Sequence, residues 1–150
     1  MRIATLLTFG ALVIFGIAAG STSSYASNLD SGRLQVTVSD VHSSRGHIRV
    51  AVCTAATFLG PNCPYHGSAL ATSGSVAVNV DGVPPGTYAV QVFQDEDDSL
   101  QIKRTLFGLP EEGIGFSNDV AIVFGPPRFT DAAVRVTAQG RVIGLRLRYF

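Results

Sequence analysis

The chain has no tryptophan, and its only methionine is Met1. Two cysteines and three histidines in 150 residues leave little material for a zinc or iron–sulfur centre with several protein ligands. Charge is also sparse. Charged side chains make up 15% of the sequence, and 11 Lys+Arg face 11 Asp+Glu. A protein that binds nucleic acid by neutralising phosphates needs a cationic surplus, and there is none. No stretch keeps a 3.6-residue apolar period over three turns, so amphipathic helices are not expected. Apolar residues are plentiful, at 46% of the chain, which excludes a disordered protein. The length suits one domain.

The N-terminus reads as an address. Met1-Arg2 is a short basic start, Ile3 to Ala19 is almost wholly apolar, and Ser24-Tyr25-Ala26 places small residues at a cleavage site. This order predicts a secretory signal peptide over residues 1–26 and a mature domain over 27–150. The competing reading is a retained anchor. Gly10 and Gly16 interrupt the run, which falls just short of the roughly 20 residues a spanning helix needs. The expected location is therefore the periplasm or cell envelope, with no transmembrane segment after cleavage. No cysteine stands at the exit to carry a lipid.

Export governs how the cysteines are read. In an oxidising compartment Cys53 and Cys63 are expected to pair. The pair closes the turn-rich loop CTAATFLGPNC. A redox role would call for Cys-x-x-Cys at a helix start, and the spacing here is wrong for that.

Beyond Leu34 the pattern has period two. Leu34, Val36 and Val38 alternate with Gln35, Thr37 and Ser39. Similar runs occur at Ile48–Val52, Val76–Val80, Tyr88–Val92, Val120–Phe124, Val134–Val136 and Ile143–Tyr149, with Gly- and Pro-bearing turns between them. Strict alternation marks strands with one buried face. About seven short strands predict an all-β fold, an antiparallel β-sandwich of immunoglobulin-like or transthyretin-like type. A membrane barrel is disfavoured, because Arg146 and Arg148 would share its lipid face with Phe150.

One segment breaks the pattern. Asp95 to Asn118 has no clean alternation, and loops beyond about 12–15 residues in compact domains are usually functional or disordered. Phe107, Leu109, Ile114 and Phe116 provide apolar anchors. They are expected either to plug one end of the sandwich or to line a patch for a lipid, peptide or protein.

Four stretches, in this order and spacing, carry a resemblance. They are Pro84-Pro85-Gly86-Thr87-Tyr88-Ala89-Val90, Phe93-Gln94-Asp95-Glu96-Asp97, Phe107 to Asn118, and Gly125-Pro126-Pro127-Arg128-Phe129-Thr130-Asp131-Ala132. Across Leu34 to Tyr149 the chain resembles the small exported bacterial proteins known as domain of unknown function 2141. The resemblance implies a β-sandwich of the periplasm or envelope, with no established activity. It also implies an acidic loop of the form His-Asp-x-Asn-x-Asn-Gly-x-x-Asp, which looks like a calcium loop. Here Gln94 replaces the His, while Asp95, Asp97 and Ser99 keep oxygens at alternate positions. Leu100 stands where the Gly would be, making a positive-φ turn costly. Lys103 stands where the last Asp would be.

The metal candidates are thus Asp95, Asp97 and Ser99, a degenerate set for weak Ca²⁺ binding. Asp98 and the Gln101 carbonyl are helpers, and the plain alternative is a solvated acidic turn. No other cofactor is expected. His42 and His47 flank the turn Ser43–Gly46, where exposed turn histidines without a ligand role are the commoner outcome. No Gly-x-Ser-x-Gly motif occurs in the mature chain, and Ser117 reads as a turn serine bonded to backbone. Glu111 and Glu112 are adjacent, so their side chains point different ways. No catalytic residue is assigned. The function expected is a non-enzymatic binding or interaction module that meets an envelope protein or small ligand through Phe107, Leu109, Glu111, Glu112, Phe116 and Asn118. The alternative is a hydrolase-type enzyme using loop carboxylates.

Overall fold

A computed structural model describes residues 32–150. The signal peptide and cleavage site expected over residues 1–26 lie outside the described residues. Strands run in the order β1 (Gly32–Val41), β2 (His47–Cys53), β3 (Tyr65–Leu70), β4 (Gly74–Val83), β5 (Gly86–Asp95), β6 (Ile114–Phe116), β7 (Ala133–Val136) and β8 (Arg141–Arg146). A 3-10 turn, Ser117–Asp119, follows β6, and a one-turn helix α1, Phe129–Ala132, precedes β7.

The strands form two facing sheets, as the alternation predicts. One has the order β4-β1-β8, and the other β3-β2-β5-β6. The free edge of β5 is shared: β6 pairs with Gln91–Phe93 and β7 with Gly86–Ala89. Leu34, Val36 and Val38 of β1 face Ile48, Val50 and Val52 of β2 across one core, which also holds Val78, Val80, Val90, Leu145 and Leu147. Each such side chain contributes about 1.5–3 kcal/mol relative to its exposed state. A smaller cluster gathers Ile114, Phe116 and Ala132 with Phe58 and Phe129.

The sandwich is tied shut along one corner. The Ile114 amide donates to the Arg148 carbonyl at 3.0 Å, and the Arg148 amide donates to that of Ile114 at 2.8 Å. Gly115 makes this closure feasible, because a Cβ there would sit 2.4 Å from the Arg146 carbonyl oxygen. At the other corner, Gly67 of β3 lies against β4, and a Cβ would fall 2.6 Å from the Asn79 carbonyl oxygen. The expected disulfide is present: Cys53 and Cys63 are bonded, with Cα atoms 4.6 Å apart. Among the described residues no helix is long and apolar enough to cross a membrane.

Three details differ from expectation. Val120–Phe124 alternates but forms no strand, because β6 and β7 already occupy the β5 edge it would need. β3 and β6 were not legible; Gly67 and Gly115 dilute their apolar pattern where two backbones must approach. One pairing is parallel, that of β1 with β8, against an otherwise antiparallel set.

Candidate functional site

The long excursion from β5 to β6 is held at its base by a buried amide. The inward register Tyr88, Val90, Val92 continues to Gln94, which has no solvent exposure. The Gln94 Nε2 group lies 2.9 Å from both the Ser43 carbonyl and the Ser43 hydroxyl, and 3.3 Å from the Arg45 carbonyl. Its Oε1 accepts from the Tyr149 hydroxyl at 2.6 Å. That hydroxyl in turn accepts from the His42 amide at 3.1 Å, and the two rings stack 3.7 Å apart. Burial raises the Tyr149 pKa and keeps the phenol protonated. The position where the related pattern has His therefore fastens the first turn and the C-terminal segment to the end of β5.

Asp95 is also fully buried. Its Oδ1 accepts from the Ser99 amide at 2.9 Å, and its Oδ2 from the Leu100 amide at 3.0 Å and from Arg49 Nε. These bonds hold a tight turn in which Asp98 and Leu100 have φ of 55° and 65°. An Asp tolerates this region, whereas a Leu does so at a cost. The positive-φ turn forms even with Leu in the glycine position, and the Leu100 side chain projects into solvent.

Each acid in the run has a cationic or histidine partner. Glu96 pairs with Arg45, Asp97 with Lys103, Asp95 with Arg49, and Asp98 with Arg49 and the His47 ring. The alternate-oxygen set Asp95, Asp97 and Ser99 is only partly assembled. Ser99 stays beside Asp97, but its hydroxyl donates to the Gln101 carbonyl at 3.1 Å. The carboxylates that converge are Asp95, Asp97 and Glu112, with ligand oxygens within 4.8 Å of one another. Three carboxylates suit a hard cation. Here, however, both Asp95 oxygens already accept hydrogen bonds, and the Lys103 ammonium supplies positive charge at Asp97. Its hydrogen bond holds the Asp97 pKa below the ordinary carboxylate value, and the same bond raises that of Lys103. Burial raises the pKa of Glu112, and the nearby Asp95 and Asp97 add to the shift. Glu112 accepts from the Glu96 and Lys103 amides at 3.3 and 3.4 Å, while Glu111 is exposed. The two glutamates do point different ways.

The apolar residues of the excursion divide. Ile114 and Phe116 are buried, at 9% and 7% exposure, whereas Phe107 is 91% exposed and Leu109 half exposed. Leu106, missed from the sequence although it adjoins Phe107, is fully exposed at 102%. These two residues cap a short hairpin. Arg104 and Pro110 are bridge partners. The Thr105 amide donates to the Leu109 carbonyl at 2.8 Å, the Gly108 amide to the Thr105 carbonyl at 2.9 Å, and Arg104 Nη1 to the Gly108 carbonyl at 3.1 Å. Gly108 turns the chain at φ +81°, where a side chain would be strained.

The far end of the excursion is structural. Ser117 is buried, with Oγ accepting from the Val90 amide at 2.9 Å and donating to the Ala132 carbonyl at 2.5 Å. Among the described residues no histidine or carboxylate hydrogen-bonds the hydroxyl, so the backbone-bonded serine expected from sequence is what forms. Asn118 has φ 60°, and its side-chain amide donates to the Asp131 and Ala133 carbonyls, both at 3.0 Å.

The family described as "Uncharacterized protein conserved in bacteria (DUF2141)" matches residues 36–143. The chain belongs to this family. The matched DUF2141 span takes in the whole acidic turn, the apolar hairpin and the Ser117 anchor, and the family description carries no activity. No curated protein and no solved structure matches the chain.

Proposed function

We propose that this DUF2141 protein is an exported, non-enzymatic binding or interaction module of the cell envelope, acting through the 95–118 loop. The observation that carries the reading is a pair of large apolar side chains, Leu106 and Phe107, held almost fully in solvent by a hydrogen-bonded hairpin. Isolated exposed apolar residues are ordinary, but adjacent ones displayed at the end of an ordered arm mark contact surfaces. The basic, apolar, small-residue order of the first 26 residues supports export, as does the disulfide. The test replaces residues 104–110 with a Gly-Ser turn. Partner or ligand capture from envelope extract should be lost while the melting temperature is kept, and undiminished capture would refute the module. Capture should survive Glu111→Gln and Glu112→Gln, whereas a hydrolase using loop carboxylates should lose its turnover with one of them.

Weak Ca²⁺ binding is a second reading, favoured by the convergence of Asp95, Asp97 and Glu112. Lys103 competes for the same charge. Calorimetry that shows neither heat nor a thermal shift at millimolar calcium in the wild-type protein rules this reading out.

A further inference from the structure

We propose that the Leu106–Phe107 hairpin is a lipid-insertion tip that seats the domain on the surface of a bilayer. The inference rests on the reading that the 95–118 loop carries recognition, and it assigns that loop an occupant.

Three observations favour a lipid surface. The first is shape. Leu106 and Phe107 protrude from a tight turn at 102% and 91% exposure. A convex apolar tip buries itself without remodelling in a soft medium, whereas a protein partner would need a matching pocket.

The second is polar satisfaction. Backbone groups entering hydrocarbon must carry their hydrogen bonds with them. The carbonyls of Thr105, Gly108 and Leu109 are each taken, by the Gly108 amide, the Arg104 guanidinium and the Thr105 amide. The Thr105 hydroxyl adds a bond from the Leu109 amide at 3.2 Å. Among the described residues the Leu106 and Phe107 amides and carbonyls have no such partner, so the tip backbone stays in the hydrated interface and only the two side chains reach the acyl chains.

The third is charge. From Ser99 to Pro110 there is no acid, and the only charged residues are Lys103 and Arg104, at the base of the tip. Asp95 to Asp98 below are engaged with Arg45, Arg49 and Lys103, which leaves Arg104 as the cation of the tip, while exposed Glu111 follows Pro110 on the returning arm. A greasy tip above the Arg104 guanidinium matches the order of acyl chains and phosphates, and the long Arg stem keeps its head at phosphate level.

The absence of tryptophan from the chain provides the test. In the exported protein, Phe107→Trp introduces a single indole. On vesicles of mixed phosphatidylethanolamine and phosphatidylglycerol its emission should shift to the blue, and the protein should float with the lipid. Leu106→Ser and Phe107→Ser should each weaken vesicle partition about tenfold or more, with the thermal unfolding curve unchanged. Phe124→Ser, an equally exposed phenylalanine on another segment, should leave partition intact. Arg104→Gln should reduce binding to the anionic vesicles while sparing binding to pure phosphatidylcholine. Absence of flotation, or flotation that survives the Leu106→Ser/Phe107→Ser double variant, overturns the lipid assignment. If that double variant instead loses capture of an envelope protein, the occupant is protein and the loop reading survives. If it loses neither lipid nor protein, both readings fail.

Discussion

Two stretches of the Asp95–Asn118 segment each carry a pair of large apolar side chains and meet opposite fates. The hairpin places Leu106 and Phe107 in water, and β6 buries Ile114 and Phe116. Hydrophobicity does not separate them, but backbone pairing does. Ile114–Phe116 finds a free stretch of β5 on one side and the Arg148 backbone on the other, so its side chains are carried into the fold. The backbone of residues 103–111 pairs only with itself, and Leu106, Phe107 and Leu109 stay outside while Pro110 at its base is buried. A loop residue is buried when its main chain can join a ladder, because an unpaired backbone cannot follow its side chain inward without loss.

This contrast can be broken by experiment. The largest effect is expected at Phe116→Ala, which should cost about 3–5 kcal/mol by denaturant unfolding. Phe107→Ala should stay within about 0.5 kcal/mol, and comparable losses at the two sites would erase the distinction. Reduction of Cys53–Cys63 is expected to cost about 3 kcal/mol and to loosen the loop that carries Phe58 to Phe116. Gln94→Ala removes the amide that ties the excursion's base to the first turn. It should cost about 1–3 kcal/mol, because the Tyr149 hydroxyl loses its acceptor.

Smaller effects sharpen the account of the acidic base. Burial raises the Glu112 pKa in the fold, so above the ordinary carboxylate value the native state holds a proton that the unfolded chain has released. Stability should therefore fall as pH rises through that window, and Glu112→Gln should flatten the slope of denaturant midpoint against pH. Asp119 behaves oppositely. Its hydrogen bond from Arg146 lowers its pKa. That stability is present above the unfolded value and is lost as pH falls through the folded one, a loss that Asp119→Asn should remove. Finally, Lys103→Ala takes away the tethered ammonium. Calcium should then raise the melting temperature more than it does in wild type, and an identical response would separate Lys103 from the cluster's charge balance.

Much of this was legible before the structure. The alternation at Leu34–Val38, Ile48–Val52 and Tyr88–Val92 located both sheets, and continuing it one step places Gln94 inside. The Cys53–Cys63 bond followed from there being two cysteines in a chain whose first residues read as an export signal. Other features had no local trace. Glu112 lies beside Asp95 where the Gln94 backbone amide bonds the Gly113 carbonyl, at 2.9 Å, across the neck of the excursion. Val120–Phe124 carries a strand's pattern and still fails to be one, since pairing requires an open edge as well as an alternating sequence.

By itself the order of residues determined the two greasy faces and the bond that closes one loop, because side-chain period and thiol number are properties of the chain alone. Which acid meets which base, and which phenylalanine stays wet, was decided only by tertiary structure. Both depend on where the edge of β5 runs out of room, and on distant backbones brought within hydrogen-bonding reach.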